Sequence, residues 1–136
     1  RKESSAASDV YKRQTVGLGD LIAHDLIKET VQRFRPSHHL EVSKYLNFVN
    51  EYKGGTFGFV SNHATNMSIV GIMIYKVIKN LYPKSWIYLL IFVVLISYSR
   101  IYLGVHYLSD IIGGWTLGFV LSLLGSKYIN KFILKL

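Results

Sequence analysis

Apolar residues return at helical spacing between Thr15 and Phe34. Val16, Leu18, Leu21, Ile22, Leu26 and Ile27 form a stripe, and His24, Asp25, Lys28, Gln32 and Arg35 lie to one side of it. Pro36 is expected to end this helix, because the residue before a proline is driven out of the helical region. A polar stretch occupies 37–60, rich in His, Asn, Lys and Gly, with Gly54-Gly55 as its turn signal. Three apolar stretches come next. Ala64–Tyr82 is broken by Pro83-Lys84. Trp86–Tyr98, extended through Val105, reaches the roughly 20 residues that cross a bilayer core. Leu108–Leu124 carries Gly113-Gly114 and Gly118, small residues that let helices approach closely in lipid. Val93-Val94 alone would suit a buried strand, but apolar stretches of this length joined by short breaks suit membrane helices better. The predicted fold is all-α, a polytopic transmembrane bundle of about four helices.

Residues 1–14 differ in character from the rest of the chain. They are small, polar and charged, without apolar periodicity and without the apolar core of a signal peptide. They read as a disordered, non-native tail, leaving 15–136 as the domain.

Composition narrows the chemistry. A chain of 136 residues holds one domain. The lack of cysteine excludes a disulfide framework, a thiolate zinc site and a cysteine nucleophile. The chain is apolar on average (mean hydropathy +0.26) yet carries a net charge of +8. Such a charge suits nucleic acid, an anionic membrane surface or a phosphate-bearing substrate. The basic residues border apolar helices rather than forming a soluble stripe, which argues against nucleic acid. Lys76, Lys79 and Lys84 surround one break, and Lys127, Lys131 and Lys135 follow the last helix. If each stretch crosses once, these lysines share one side, which the positive-inside tendency makes cytoplasmic. The opposite side holds Lys28, Arg35, His63, Arg100, His106 and Asp110. Ionisable residues at membrane depth are functional candidates by default.

Those residues form three clusters. Lys28 and Arg35, seven apart, would lie on one helix face, where two cations suit a dianionic phosphate or snorkel to the interface. Ser61 can cap the next helix, whose N-terminus offers free N–H groups to an anion. His63 sits in that first turn, as a general acid or as a simple interfacial histidine. His106 and Asp110 stand at i and i+4, so a carboxylate can fix the imidazole tautomer and leave the other nitrogen as nucleophile or base. Asp110 equally suits a helix-capping role, and Arg100 either closes a cationic site or snorkels. His38-His39 invites a metal reading, but adjacent residues do not face one another, so they read as loop or entrance residues.

The three clusters resemble the signature motifs of the type 2 phosphatidic acid phosphatase (PAP2) superfamily, which also includes class A acid phosphatases and vanadium haloperoxidases. The first motif is met by Lys28, Arg35 and Pro36. The third is met by Ser99, Arg100, His106 and Asp110. In the second, Val60-Ser61-Asn62-His63 keeps the serine and histidine, while Val60 and Asn62 replace the usual proline and glycine. The resemblance implies that His106 attacks phosphorus to form a phosphohistidine, that Asp110 orients it, and that His63 protonates the leaving group. It implies that Lys28, Arg35, Ser61, Arg100 and the Asn62 amide hold the phosphoryl oxygens, with no metal and no cofactor. Membrane members usually have six helices, so the resemblance also implies a chain truncated at its N-terminus. The function implied is hydrolysis of a lipid phosphate or diphosphate, in a bacterial cytoplasmic membrane with the site outside. Phosphatidic acid, phosphatidylglycerol phosphate, undecaprenyl diphosphate and lipid A phosphates all fit as substrates. A phospholipid-binding membrane protein without turnover and a vanadate-dependent haloperoxidase are the competing readings. The oligomeric state is not legible.

Overall fold

The computed structural model describes residues 2–132, and among them it is helical, without a strand. α1 (Lys2–Leu21) runs straight into a π-helical segment, Ile22–Lys28, and then into the single turn α2 (Glu29–Val31). Three 3₁₀ turns, Pro36–His38, Val42–Tyr45 and Val49–Glu51, order the long connection to the next helix. α3 (Asn62–Ile78), α4 (Ser85–Tyr102) and α5 (Leu108–Phe132) complete the bundle.

Two elements depart from the sequence expectation. α1 starts at Lys2, so residues 2–14 are helical rather than a disordered tail. Their Ala, Glu, Lys, Arg and Gln are good helix formers that continue into the apolar helix. The first helix also ends earlier than Pro36 requires. Gln32 adopts left-handed backbone (φ 47°, ψ 34°), and Arg35 is extended. Tertiary hydrogen bonds replace the helical ones: Arg35 N–H donates to Thr56 O (3.0 Å), and Gly58 N–H donates to Arg33 O (2.8 Å). Phe34 and Phe57 form an isolated antiparallel bridge there. Lys28 and Arg35 therefore do not share a helix face. One is helical and the other lies past the helix end.

α3 is the hub, packed against α1, α4 and α5. Its Ile69 and Met73 meet Leu121 of α5, with Val16, Ile22 and Leu117 around them. The α3–α5 seam is made of small residues. A Cβ at Gly118 would stand 2.6 Å from Thr65 O, and one at Gly114 would stand 2.7 Å from Ser61 O. Only glycine permits that approach. α4 buries only Val93 and Ser97 and turns Leu90, Phe92 and Leu95 outward. Ser97 Oγ accepts a hydrogen bond from Trp115 Nε1 (3.0 Å), a polar tie between α4 and α5. Among the described residues two helices, α4 and α5, are long and apolar enough to cross a membrane. α3, expected to be a third, has 17 residues and does not meet that measure.

The first helix only half buries its apolar stripe, with Val16 and Ile22 packed on the core. Leu18, Leu21 and Leu26 are exposed, while Thr15, Gly19, Ala23 and Lys28 are buried. Large apolar groups outside and small or polar groups inside is the pattern of helices packed in lipid. The buried positions step by four, four and then five residues. The five-residue step falls within the π segment, whose turns hold an extra residue, and it brings Lys28 rather than Ile27 to the inner line.

Candidate functional site

The polar cluster forms where α3 begins, α4 ends and α5 begins. The α4 end is closed by a double hydrogen bond. Gly104, with φ 66°, donates to Ile101 O (2.8 Å), and Val105 N–H donates to Arg100 O (3.2 Å). This is the Schellman arrangement, which needs a residue free to adopt positive φ at its turn. It reverses the chain a few residues past Arg100 and delivers His106 next to the start of α5.

His106 and Asp110 do meet, although His106 precedes α5 instead of lying on it. Its Nδ1 stands 3.4 Å from Asp110 Oδ2, a long contact, and both side chains are buried. The same Oδ2 accepts the Tyr107 N–H at 2.9 Å. Asp110 thus caps the first turn of α5 and faces His106 at once, joining the two alternatives the spacing allowed. Burial holds the His106 pKa below its usual 6.5. Asp110 opposes that shift, while the charges of Arg35 and Lys28 add to it.

Ser61 is the N-cap of α3, its Oγ accepting the Ala64 N–H at 3.4 Å, and its own N–H donates to Asp110 O (3.0 Å). The cap of α3 is therefore tied to the first turn of α5. Asn62 and His63 open the helix, and His63 is exposed. The Asn62 side chain is engaged on both ends. Its oxygen accepts the Lys28 ammonium, and its Nδ2 donates to Asp20 Oδ1 at 2.6 Å. Asn66 Nδ2 reaches the same Asp20 oxygen at 3.3 Å.

Arg35 comes to the site from the extended segment, its Nε donating to Phe57 O at 3.0 Å. Burial lowers its pKa, with Tyr52 and Asp110 opposing and the charge of Arg100 reinforcing the fall. Arg100 is half-buried and donates to Ser99 Oγ at 3.2 Å. Among the described residues no carboxylate stands within ion-pair distance of Lys28, Arg35 or Arg100. All eight predicted residues thus lie at the end of the bundle where α3 starts.

Two residues escaped the sequence reading. Arg33 reaches Asp110 Oδ1 at 3.1 Å and Ser109 Oγ at 2.6 Å. Its signal is the alternation Arg33-Phe34-Arg35, which puts both arginines on one side of an extended chain. A helical reading of the segment hides it. Asp20 is the other, an acid set among the apolar residues of α1. His38 and His39 stay apart from the cluster's bonding. His38 Nδ1 pairs with Ser37 Oγ (3.2 Å), and His39 Nδ1 accepts the Val42 N–H (3.5 Å). Among the described residues no group of three His, Asp or Glu side chains is arranged to hold a metal.

Known proteins resemble this chain in sequence and in fold. A lipid A 4'-phosphatase from Porphyromonas gingivalis is 37% identical over 101 residues, covering 74% of this chain and 42% of that protein. A phosphatidylglycerophosphatase B from Bacillus subtilis is 31% identical over 119 residues, covering 82% and 54% respectively. The crystal structure of a transmembrane PAP2 type phosphatidylglycerolphosphate phosphatase from Bacillus subtilis superposes with a TM-score of 0.69 at 27% identity. The match covers 90% of this chain and 59% of that one. The chain spans about half the length of the curated relatives it matches. With these neighbours and two apolar helices long enough to span a bilayer, it is a membrane protein. The sequence pattern of the PAP2 superfamily matches residues 15–134, and the chain belongs to that superfamily.

Proposed function

We propose that the chain hydrolyses a lipid phosphate or diphosphate at the membrane surface, through a phosphohistidine on His106 and without a metal ion. One observation carries this reading. Three cations act around two histidines, and among the described residues no carboxylate is within ion-pair distance of any of the three, while the buried Asp110 is taken by Arg33. A site short of anions in this way fits a phosphoryl group. The relatives share a phosphate carried on a lipid, and the exposed apolar helices put such a headgroup within reach.

The steps are consistent with the geometry. With its proton on Nδ1, toward Asp110, His106 directs the Nε2 lone pair at phosphorus. The P–N bond forms as the bond from phosphorus to the lipid oxygen breaks, and His63 gives that oxygen its proton. Neutral His63 then takes a proton from water, whose oxygen attacks phosphorus and releases His106 and inorganic phosphate. Lys28, Arg35 and Arg100, with Ser61 and the Asn62 N–H at the start of α3, hold the equatorial oxygens throughout.

Phosphate release from vesicles containing phosphatidic acid or phosphatidylglycerol phosphate tests this. Release is expected to survive EDTA and to fall at least about 10³-fold in His106→Ala, the scale of losing a nucleophile. Undiminished release from that variant would remove His106 from the role. Binding of the vesicles without release would favour the non-catalytic reading.

The proposal also sets the site on the outer face of a bacterial cytoplasmic membrane. Lys79 and Lys84 lie at the opposite end of α3 and α4 from His106, as the positive-inside tendency asks. The chain has no native cysteine, so single cysteines are clean probes. In intact cells an impermeant maleimide is expected to label Lys44→Cys and to spare Lys84→Cys. The reverse pattern would invert the orientation.

A further inference from the structure

Arg33 lies in the spacer of the first motif, at none of its defining positions, yet it touches Tyr107 and the first turn of α5 at three points near His106. Its Nη1 donates to Asp110 Oδ1 (3.1 Å) and to Ser109 Oγ (2.6 Å), and its guanidinium lies 4.4 Å from the centre of the Tyr107 ring. Its backbone is fixed as well, because Arg33 O accepts the Gly58 N–H. We propose that Arg33 is a positioning residue for the phosphohistidine reaction, and this role rests on that reading of the site. Arg33 holds the Asp110 carboxylate and its turn so that Asp110 can orient His106 as a neutral nucleophile.

The physical need is plain. Asp110 is fully buried, and a buried carboxylate without a cation is costly. The nucleophile must be uncharged, so His106 cannot be that cation. Arg33 divides the two tasks between the carboxylate oxygens. Oδ1 meets the guanidinium, and Oδ2 is left to the Tyr107 N–H and His106. Around His106, Asp110 favours the imidazolium, whereas Arg35 and Lys28 oppose it. Removing Arg33 makes His106 the nearest cation available to Asp110. An opposite charge left unshared raises a neighbour's pKa by about one unit or more.

The test reads protonation as well as rate. In the full chain, in detergent micelles, the acidic limb of phosphate release is expected below pH 6.5, since burial keeps His106 neutral to lower pH. Arg33→Met is expected to move that limb up by about one unit. Arg33→Lys, which restores a charge, is expected to bring it back. Arg33→Gln keeps a donor for Ser109 without charge and is expected to behave like Arg33→Met if that variant fails to fold. Histidine NMR on the same proteins follows the His106 titration directly, without needing turnover. An upward move of the His106 pKa in the neutral variants, with release detected or not, supports the positioning role. An absence of release from the unaltered chain counts against the phosphatase reading alone. A purely structural arginine would lower release at every pH and leave both the limb and the His106 titration in place, and that result overturns the proposal.

Discussion

The site is assembled from two regions built in opposite ways. The Ser99–Asp110 region is local. A helix end, a Schellman turn and a capped helix start succeed one another, and nearly every fixing bond joins residues within five positions. The Asp20–Pro36 region is the reverse. It passes through α-, π- and left-handed backbone before running extended, and its functional groups are fixed by partners far along the chain. Lys28 rests on Asn62, Arg35 on Phe57 and Arg33 on Asp110. The local region sets His106 beside Asp110, whereas the distant one brings its cations to the proposed phosphate site, and Arg33 to Asp110, only once α3 and the loop have docked.

That contrast can be put under strain. Asp110→Asn strikes the local region and is expected to have the larger effect. Losing the carboxylate that orients a catalytic histidine costs about 10³- to 10⁴-fold in enzymes that use such a pair. Steady-state release at saturating lipid should fall on that scale with the helical content unchanged. A drop of less than tenfold would mean that the Schellman turn alone aims His106. Asn62→Gly strikes the distant region and restores the residue usual in the family. It removes the link from Asp20 to Lys28, a loss of about 0.5–1.5 kcal/mol for each hydrogen bond. Release should change by less than about tenfold and mainly through KM. An effect as large as that of Asp110→Asn would show that the two regions carry equal weight.

The same contrast marks what the sequence could convey. The His106–Asp110 pairing was legible because a four-residue spacing at a helix start leaves little choice of geometry. The Ser61 cap was legible because its partner lies three residues on. The helical bundle was legible from apolar run length. The end of the first helix was not, since Pro36 signals a boundary but Gln32 sets it, for the sake of hydrogen bonds to Thr56 and Gly58. Arg33 stayed hidden for that reason. The inward face of the first helix was not legible either. Periodicity reports where apolar groups recur, and here Val16 and Ile22 of the stripe pack on the core while Leu18, Leu21 and Leu26 face outward.

The five-residue step in the first helix bears on how this chain tolerates change in length. The five residues of a π turn cover about the same rotation as four of an α-helix, about 400° at roughly 100° each. A residue removed between Ala23 and Lys28 would therefore let the segment relax to ordinary α-helix with Lys28 still on the inner line, four positions from Ala23. A residue removed between Thr15 and Gly19, where the backbone is already α-helical, would instead rotate everything before it by about 100°. The π segment should therefore accept the loss of a single residue more readily than the α-helical stretch before it.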